Sequence, residues 1–376
     1  MAADASTAPI ADHRNNNIDT LRLLAALTVL YAHSFVLAKP GNRDPITDNL
    51  QEILPLQRGI SGQAVALFFV VSGYLVSASF DRRRELASYA AARLLRILPA
   101  LWAAIIVMVV VAALVTTLPI AEFLARKTTI GFALHNGTLF DMRFQLAEVF
   151  TANPRSDVNV SLWTLPLEFL MYIVVALVGL IGLLKHRLLF NCAIALAFAS
   201  FVLGGGQLPL IHGHHDAELL LYFMAGAALY VNRDVIKLHA LPALLLLAAA
   251  MALSPLKEHV ADVAIIFFFS YFVLWLGFTR RIRMPNLAAR GDLSYATYLY
   301  AAFVTQLWLW AIGPFNGWLV ALATAAVTLP LAWLSWHYAE SPALARKGWL
   351  AERFRSLPRG GRGAGPAAVN APSSPQ

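Results

Sequence analysis

Apolar runs that approach or exceed the roughly 20 residues a helix needs to cross a bilayer recur along this 376-residue chain, separated by short polar punctuation. A chain that is 59% apolar and only 13% charged is an improbable soluble single-core protein at this length. The expected fold class is all-α, a polytopic membrane protein. Ten spans are expected, at about 18–38, 60–79, 97–118, 161–184, 188–203, 217–231, 240–253, 260–278, 292–312 and 315–337. The fifth to seventh are short.

The basic residues set an expected orientation. With the N-terminus inside, the inner segments 1–22, 80–96, 185–187, 232–239, 279–290 and the tail from 340 hold 21 of the 29 lysines and arginines. That asymmetry fits ten spans with both termini cytoplasmic. It also accounts for much of the net charge of +8, so no nucleic-acid partner is expected. Residues 1–17 are polar and lack the basic start of a cleavable signal, so they read as a flexible cytoplasmic N-terminus before a retained first helix. Residues 18–345 read as one transmembrane domain. Residues 346–376, rich in Gly, Pro, Ser and Arg, read as a basic, largely disordered cytoplasmic tail. The outer loops 39–59 and 119–160 have the composition of ordered polar loops or surface-lying segments. The single cysteine, Cys192, leaves no disulfide framework and no Cys-based zinc site. There is no visible internal repeat and no inverted pair of Gly/Pro-broken helices of the transporter kind.

Against this apolar background, charges in the first span stand out. The stretch "IDTLRLLAALTVLYAHSF", residues 18–35, carries Asp19, Arg22 and His33. Arg22 and His33 are eleven residues apart, about 16 Å of helical rise and a rotation within about 20° of three full turns, so they share one face. Snorkelling from the helix end alone accounts for Arg22, and a structural hydrogen bond for His33. Intramembrane ionisable groups are nonetheless functional candidates by default.

Five further stretches carry polar groups in the same setting. "FFVVSGYLVS", residues 68–77, holds Ser72 and Gly73, small enough for a neighbouring helix to approach closely. "DRRRELASYAAARLLRILP", residues 81–99, places Arg93 and Arg96 on one helix face at the inner boundary, with Arg82, Arg83 and Arg84 nearby. "SLWTLPLEFLMY", residues 161–172, holds Trp163 and puts Glu168 about two turns into its helix from outside, with Pro166 kinking the helix or freeing backbone nearby. "GDLSYATYLYAAFVTQ", residues 291–306, includes Tyr298, and "LSWHYAESP", residues 334–342, ends the last span with Glu340 at the arginine level, where an Arg partner is expected.

Taken in order over roughly residues 15–345, these stretches resemble the acyltransferase-3 family of integral membrane acyltransferases. The match lies in the Asp-x-x-Arg start, the Arg-x10-His spacing, the aromatic-x-x-Ser-Gly segment, the Arg-x-x-Arg pair, the Ser-x-Trp-Thr-Leu-x-x-Glu run and the Glu-x-Pro ending. One departure is clear: where the family usually has a histidine after Leu-Ser-Tyr-x-x-Tyr-Leu-Tyr, this chain has Ala301 and Ala302.

The resemblance implies a membrane O-acyltransferase that moves an acyl group, most often acetyl, from cytoplasmic acyl-coenzyme A to a hydroxyl of a surface or exported carbohydrate. It implies a multi-pass protein of the bacterial inner membrane, with acetyl-CoA as donor substrate rather than bound cofactor. Its partners are then a carbohydrate or lipid-linked saccharide acceptor and the surrounding lipids. Arg93 and Arg96 are the implied anchors for the coenzyme A phosphates, a task that suits paired guanidinium forks, and Arg22 orients the donor or stabilises charge in the pore. His33 is the implied general base on the acceptor hydroxyl, or the carrier of an acyl-histidine, with Glu168 an orienting partner. Asp19, Ser72, Trp163, Tyr298 and Glu340 are supporting candidates.

Other chemistries find less purchase. The "HGHH" cluster, with His212, His214 and His215, reads as a polar outer loop for want of a carboxylate geometry, and His135, His186, His239 and His259 as solvated, so no metal site is expected. Phosphate-loop, HExxH and GxSxG signatures are missing. The rival reading is a non-enzymatic glycolipid or polysaccharide transporter or flippase that uses Arg22, His33 and Glu168 as a substrate or proton path. Within the family, transfer of succinyl or another acyl group to a different acceptor stays open.

Overall fold

A computed structural model describes residues 16–39, 41, 43–53, 59–83, 85–209, 211, 213–253, 258–289 and 291–356. Among the described residues fifteen α-helices follow one another: α1 (Ile18–Ala38), α2 (Pro45–Ile53), α3 (Ile60–Arg83), α4 (Leu86–Val115), α5 (Ile120–Ala125), α6 (Lys127–Gly137), α7 (Leu165–Leu180), α8 (Arg187–Leu203), α9 (His214–Val231), α10 (Ala240–Leu253), α11 (Glu258–Phe278), α12 (Ser294–Ile312), α13 (Gly317–Ser335), α14 (Ser341–Ala345) and α15 (Lys347–Ser356). No strand occurs among the described residues; the only pairing of that kind is an isolated bridge between Leu208 and Ile211. The all-α expectation holds.

Each of the ten apolar segments falls on one of these helices. Six segments are long and apolar enough to cross a membrane: those of α1, α3, α4, α7, α11 and α13. The segments of α8 and α10 are shorter, and α9 and α12 are more polar. Burial explains α12: every residue from Ser294 to Gln306 is buried, so the helix faces other helices rather than lipid and tolerates Thr297, Thr305 and Gln306.

Small residues set the closest helix approach. A Cβ on Gly73 of α3 would stand 2.0 Å from the Phe223 carbonyl oxygen of α9, and one on Gly226 would stand 2.1 Å from the Val70 oxygen. The packing role of Gly73 is thus real, and Gly226 is its reciprocal half. The two helices run in the same direction, since Tyr222 reaches Gln63 near the start of α3 and Tyr230 donates to Asp81 near its end.

The inner edges of both end segments take part in the fold. Asn17 is buried ahead of α1, and its side-chain amide donates to the carbonyls of Leu276 and Ile282 while its Oδ1 accepts from the Met284 N–H. Residues 347–356 form α15, clamped to the start of α4 by Arg355, which donates to both oxygens of Glu85 and to Ser88. The remainder of the tail, 357–376, and residues 1–15 lie outside the described residues.

The outer segment 119–160 carries the short helices α5 and α6 and buries Phe123, Phe132 and Phe150. Gln306 of α12 pins it, donating to the carbonyls of Arg155 and Asp157 and accepting from Asn153.

Candidate active site

The central cavity encloses about 310 Å³ and lies between α3, α4, α7 and α12. Along α3 its wall runs from Val65 to Arg83, about 27 Å of helix. Arg22, Arg82, Arg83, Arg93 and Arg96 all line it, as do Ser72, Thr164, Glu168, Tyr172, Tyr295 and Tyr298. Residues from five of the sequence motifs thus share one space.

The five cations are not equivalent. Arg22 and Arg96 both donate to Oδ2 of Asp292, each at 2.5 Å, and Arg96 also lies 3.8 Å from Glu340. Asp292 spends its other oxygen on the Ser294 hydroxyl at 2.5 Å. These contacts neutralise much of the local charge and tie α1 and α4 to the start of α12. The π-helical turn Trp336–Glu340 sets Glu340 toward Arg96, with the carboxylate 1% exposed. The expected Arg partner of Glu340 is therefore Arg96. Asp19 is 3.9 Å from Arg22 in the first turn of α1, half-exposed and secondary to Asp292.

Arg93 differs. Its guanidinium lies over the Tyr172 ring, 5.5 Å from the centroid, its Nε is buried without a hydrogen-bond partner, and among the described residues no carboxylate pairs with it. Arg83 donates to Ser79, one turn back on α3. A fork without a counter-ion, next to Arg82 and Arg83 on the cavity wall, leaves charge available to an anion.

Glu168 and His33 do not meet. Glu168 Oε1 accepts from Tyr172 at 2.6 Å and from Ser72 at 3.2 Å, inside the cavity. It stands in the first turn of α7 rather than two turns into a helix, because residues Val160–Thr164 form a 3-10 turn and Pro166 opens α7 without kinking it. The partner of His33 is Ser161, whose hydroxyl is 3.4 Å from Nδ1.

The 3-10 turn connects the two levels. Its first residues are fixed by Asn159, which accepts from the Ser161 N–H and donates to the Leu299 carbonyl of α12. Ser161 and Thr164 are three residues apart on it, so they share a face about 6 Å apart along the axis. Thr164 and the Tyr298 hydroxyl are hydrogen-bonded at 2.8 Å, and Tyr298 packs edge-on against Phe68. His33 thus lies one 3-10 turn beyond the Thr164–Tyr298 end of the cavity. Trp163 packs partly buried in the core and does not line the cavity.

Asp292, Tyr172, Ser161 and Thr164 escaped the sequence analysis. A signal existed for Tyr172, four residues after Glu168 on one helix face, and for Asp292, an acid beside a motif facing two apolar-segment arginines. The histidines of the outer loop also read differently in space. His214 begins α9 and His259 lies on α11, both within 4 Å of the buried carboxylate of Asp262.

A family model described as an acyltransferase domain matches residues 15–337. Among curated proteins, the chain is 28% identical over 350 residues to an O-acetyl transferase of Shigella phage Sf6, covering 89% of this chain and 97% of that one. It is 30% identical over 376 aligned residues to nodulation protein 10 of Rhizobium leguminosarum bv. viciae, covering 92% and 97%. No solved structure matches. With the family match spanning the arginine cavity and the His33 helix, this chain belongs to the acyltransferase-3 family and is an O-acyltransferase.

Proposed function

We propose that this O-acyltransferase takes an acyl group, acetyl first among candidates, from cytoplasmic acyl-coenzyme A and passes it to a hydroxyl of a surface or exported carbohydrate, free or lipid-linked. The observation that carries the proposal is the cavity with an unpaired guanidinium, Arg93, near the Arg82/Arg83 end and His33 one turn beyond its other end. Ten crossings, both termini cytoplasmic and a bacterial inner membrane location complete the picture, with α8, α9, α10 and α12 crossing alongside the six longer spans.

In this mechanism Arg93, with Arg82 and Arg83, holds the donor phosphates. Arg96 and Arg22, bound to Asp292, act mainly by keeping the cavity's inner end in shape. Glu168, fixed by Ser72 and Tyr172, shapes the cavity wall along which the acyl arm lies. With Nδ1–H of His33 donating to Ser161, Nε2 accepts the proton of the acceptor hydroxyl. The alkoxide oxygen bonds to the thioester carbonyl carbon, the carbon–sulfur bond breaks, and the coenzyme A thiolate leaves and takes up a proton.

The test is His33→Ala, read as thiol release from acetyl-CoA by purified protein and as ester content of surface polysaccharide in a deletion strain. A loss of about 10²-fold or more is expected, with stable insertion and retained donor binding. Full acylation by the variant would overturn the role of His33. Thioester cleavage also separates this reading from a flippase, which would leave the thioester intact.

A further inference from the structure

The structure assigns a divalent-metal site to His214, His259 and Asp262, with Glu218 beside His214, at the end of the bundle opposite the arginines. Nε2 of His214 lies 3.7 Å from Oδ2 of Asp262 and 3.6 Å from Oε1 of Glu218, and Nδ1 of His259 lies 3.6 Å from the same Asp262 oxygen. The donor atoms of His214, His259 and Asp262 all fall within 4.8 Å of one another. These separations are long for direct hydrogen bonds. They are close to the edge of a tetrahedron of N and O ligands around zinc, about 3.3–3.6 Å for bond lengths of about 2.0–2.2 Å.

Burial supplies an independent argument. The Asp262 side chain is 1% exposed, and neither of its oxygens accepts a hydrogen bond; Nδ1 of His259 is likewise buried and without one. A carboxylate held away from water without donors is costly, and a cation at the centre of the cluster would satisfy it together with both imidazoles.

The surroundings set up ligation. His214 Nδ1 is 2.9 Å from the Gly206 carbonyl oxygen, which selects the tautomer that leaves Nε2 free to face the carboxylates. A Cβ on Gly206 would stand 2.4 Å from that Nδ1 and 2.6 Å from Cε1 of His259, so the residue must be glycine for the rings to converge. Phe201 stacks on His214 and meets His259 edge-on, fencing the cluster with an apolar wall. Two imidazoles and carboxylates in a tight set favour zinc over calcium or magnesium.

The sequence shows no carboxylate geometry for the "HGHH" run because Asp262 lies far along the chain from it. The parallel course of α3 and α9 puts His214 about 24 Å of helix from Tyr230, which pairs with Asp81 beside the arginine end. The site therefore fastens α9, α11 and the Gly206 loop together, separately from the acyl-transfer cavity.

The test uses the full-length protein in detergent, purified without a polyhistidine tag and stripped with chelator, with Co²⁺ as probe and Zn²⁺ as competitor. One Co²⁺ per chain with the visible absorption of a four-coordinate ion, displaced by Zn²⁺, is expected, as is a melting temperature raised by Zn²⁺ and lowered by chelator. Asp262→Asn and His259→Ala should each weaken Zn²⁺ affinity at least about tenfold. His186→Ala, at an exposed side chain before α8, should leave it unchanged. Absence of stoichiometric Co²⁺ or Zn²⁺ in the native chain overturns the assignment, with no appeal to the variants needed. Binding that survives in the Asp262→Asn, His259→Ala double variant overturns it too.

Discussion

Asp292 shows how one side chain separates arginines that look alike in sequence. Its single oxygen holds both Arg22 and Arg96, whereas Arg93, three residues before Arg96, meets only the face of Tyr172. Replacing Asp292 by Asn should leave two largely buried cations under-compensated and cost on the order of 3 kcal/mol, read as a fall in melting temperature in detergent. Arg93→Ala should leave that temperature near wild type and raise the KM for acyl-CoA about tenfold or more, measured by thiol release. Equal destabilisation by both changes would return Arg93 to a structural role. The sequence marked Arg22, His33, Arg93, Arg96 and Glu168 as a set because charges in apolar segments are conspicuous. It did not pair them, since spacing along one helix says nothing of which acid on another helix faces it. Glu168 was expected to orient His33, while its partners are Ser72 and Tyr172.

At the scale of elements, apolar length located helices well, to the residue for Ile18–Ala38 and Ala240–Leu253. It said less where a segment changes helix type. The 3-10 turn Val160–Thr164 was read as part of a continuous span, yet it supplies the register between Ser161 and Thr164. α15 was absorbed into a tail by the Gly and Pro that follow it, because the clamp on Glu85 joins residues 270 positions apart. That clamp carries a pH dependence. Hydrogen bonds from Arg355 and then Ser88 lower the Glu85 pKa from 4.5 to about 2. The contribution of a carboxylate depressed in this way is full above about pH 4.5 and is lost as pH falls toward 2. Protection from hydrogen exchange across residues 347–356, relative to the intrinsic rate at each pH, should therefore fall as pH drops between those values, and Glu85→Gln should produce the same release at pH 7. Unchanged protection in that variant would show that other contacts hold α15.

Over the whole molecule, polarity is distributed by level. Arg22, Arg82, Arg83, Arg93 and Arg96 surround one end of the cavity, and His33 with the His214 cluster belongs to the other half of the bundle. If that polarity matches the membrane as proposed, a fluorescent protein at the C-terminus should fold and fluoresce, and alkaline phosphatase inserted near residue 140 should be active. The opposite pattern would place the arginine end away from cytoplasmic acyl-CoA. Hydropathy could not reveal which helices lie inside. α12 is among the more polar helices and is buried from Ser294 to Gln306, so a weak membrane signal belongs to a helix packed among the others.

The bond from Asp292 to Arg22 and Arg96 also has a consequence in time. The chain emerges from the ribosome N-terminus first, and 270 residues separate Arg22 from its counter-ion and 196 separate Arg96. At about 5–20 residues per second, Arg22 waits roughly 15–50 s for its acid. During that interval Arg96 lacks this counter-ion and Arg22 has only Asp19, one turn back on its own helix. Asp292 must arrive before the inner end of the cavity can close, and a chain stalled before it carries Arg96 without this acid and Arg22 with Asp19 alone.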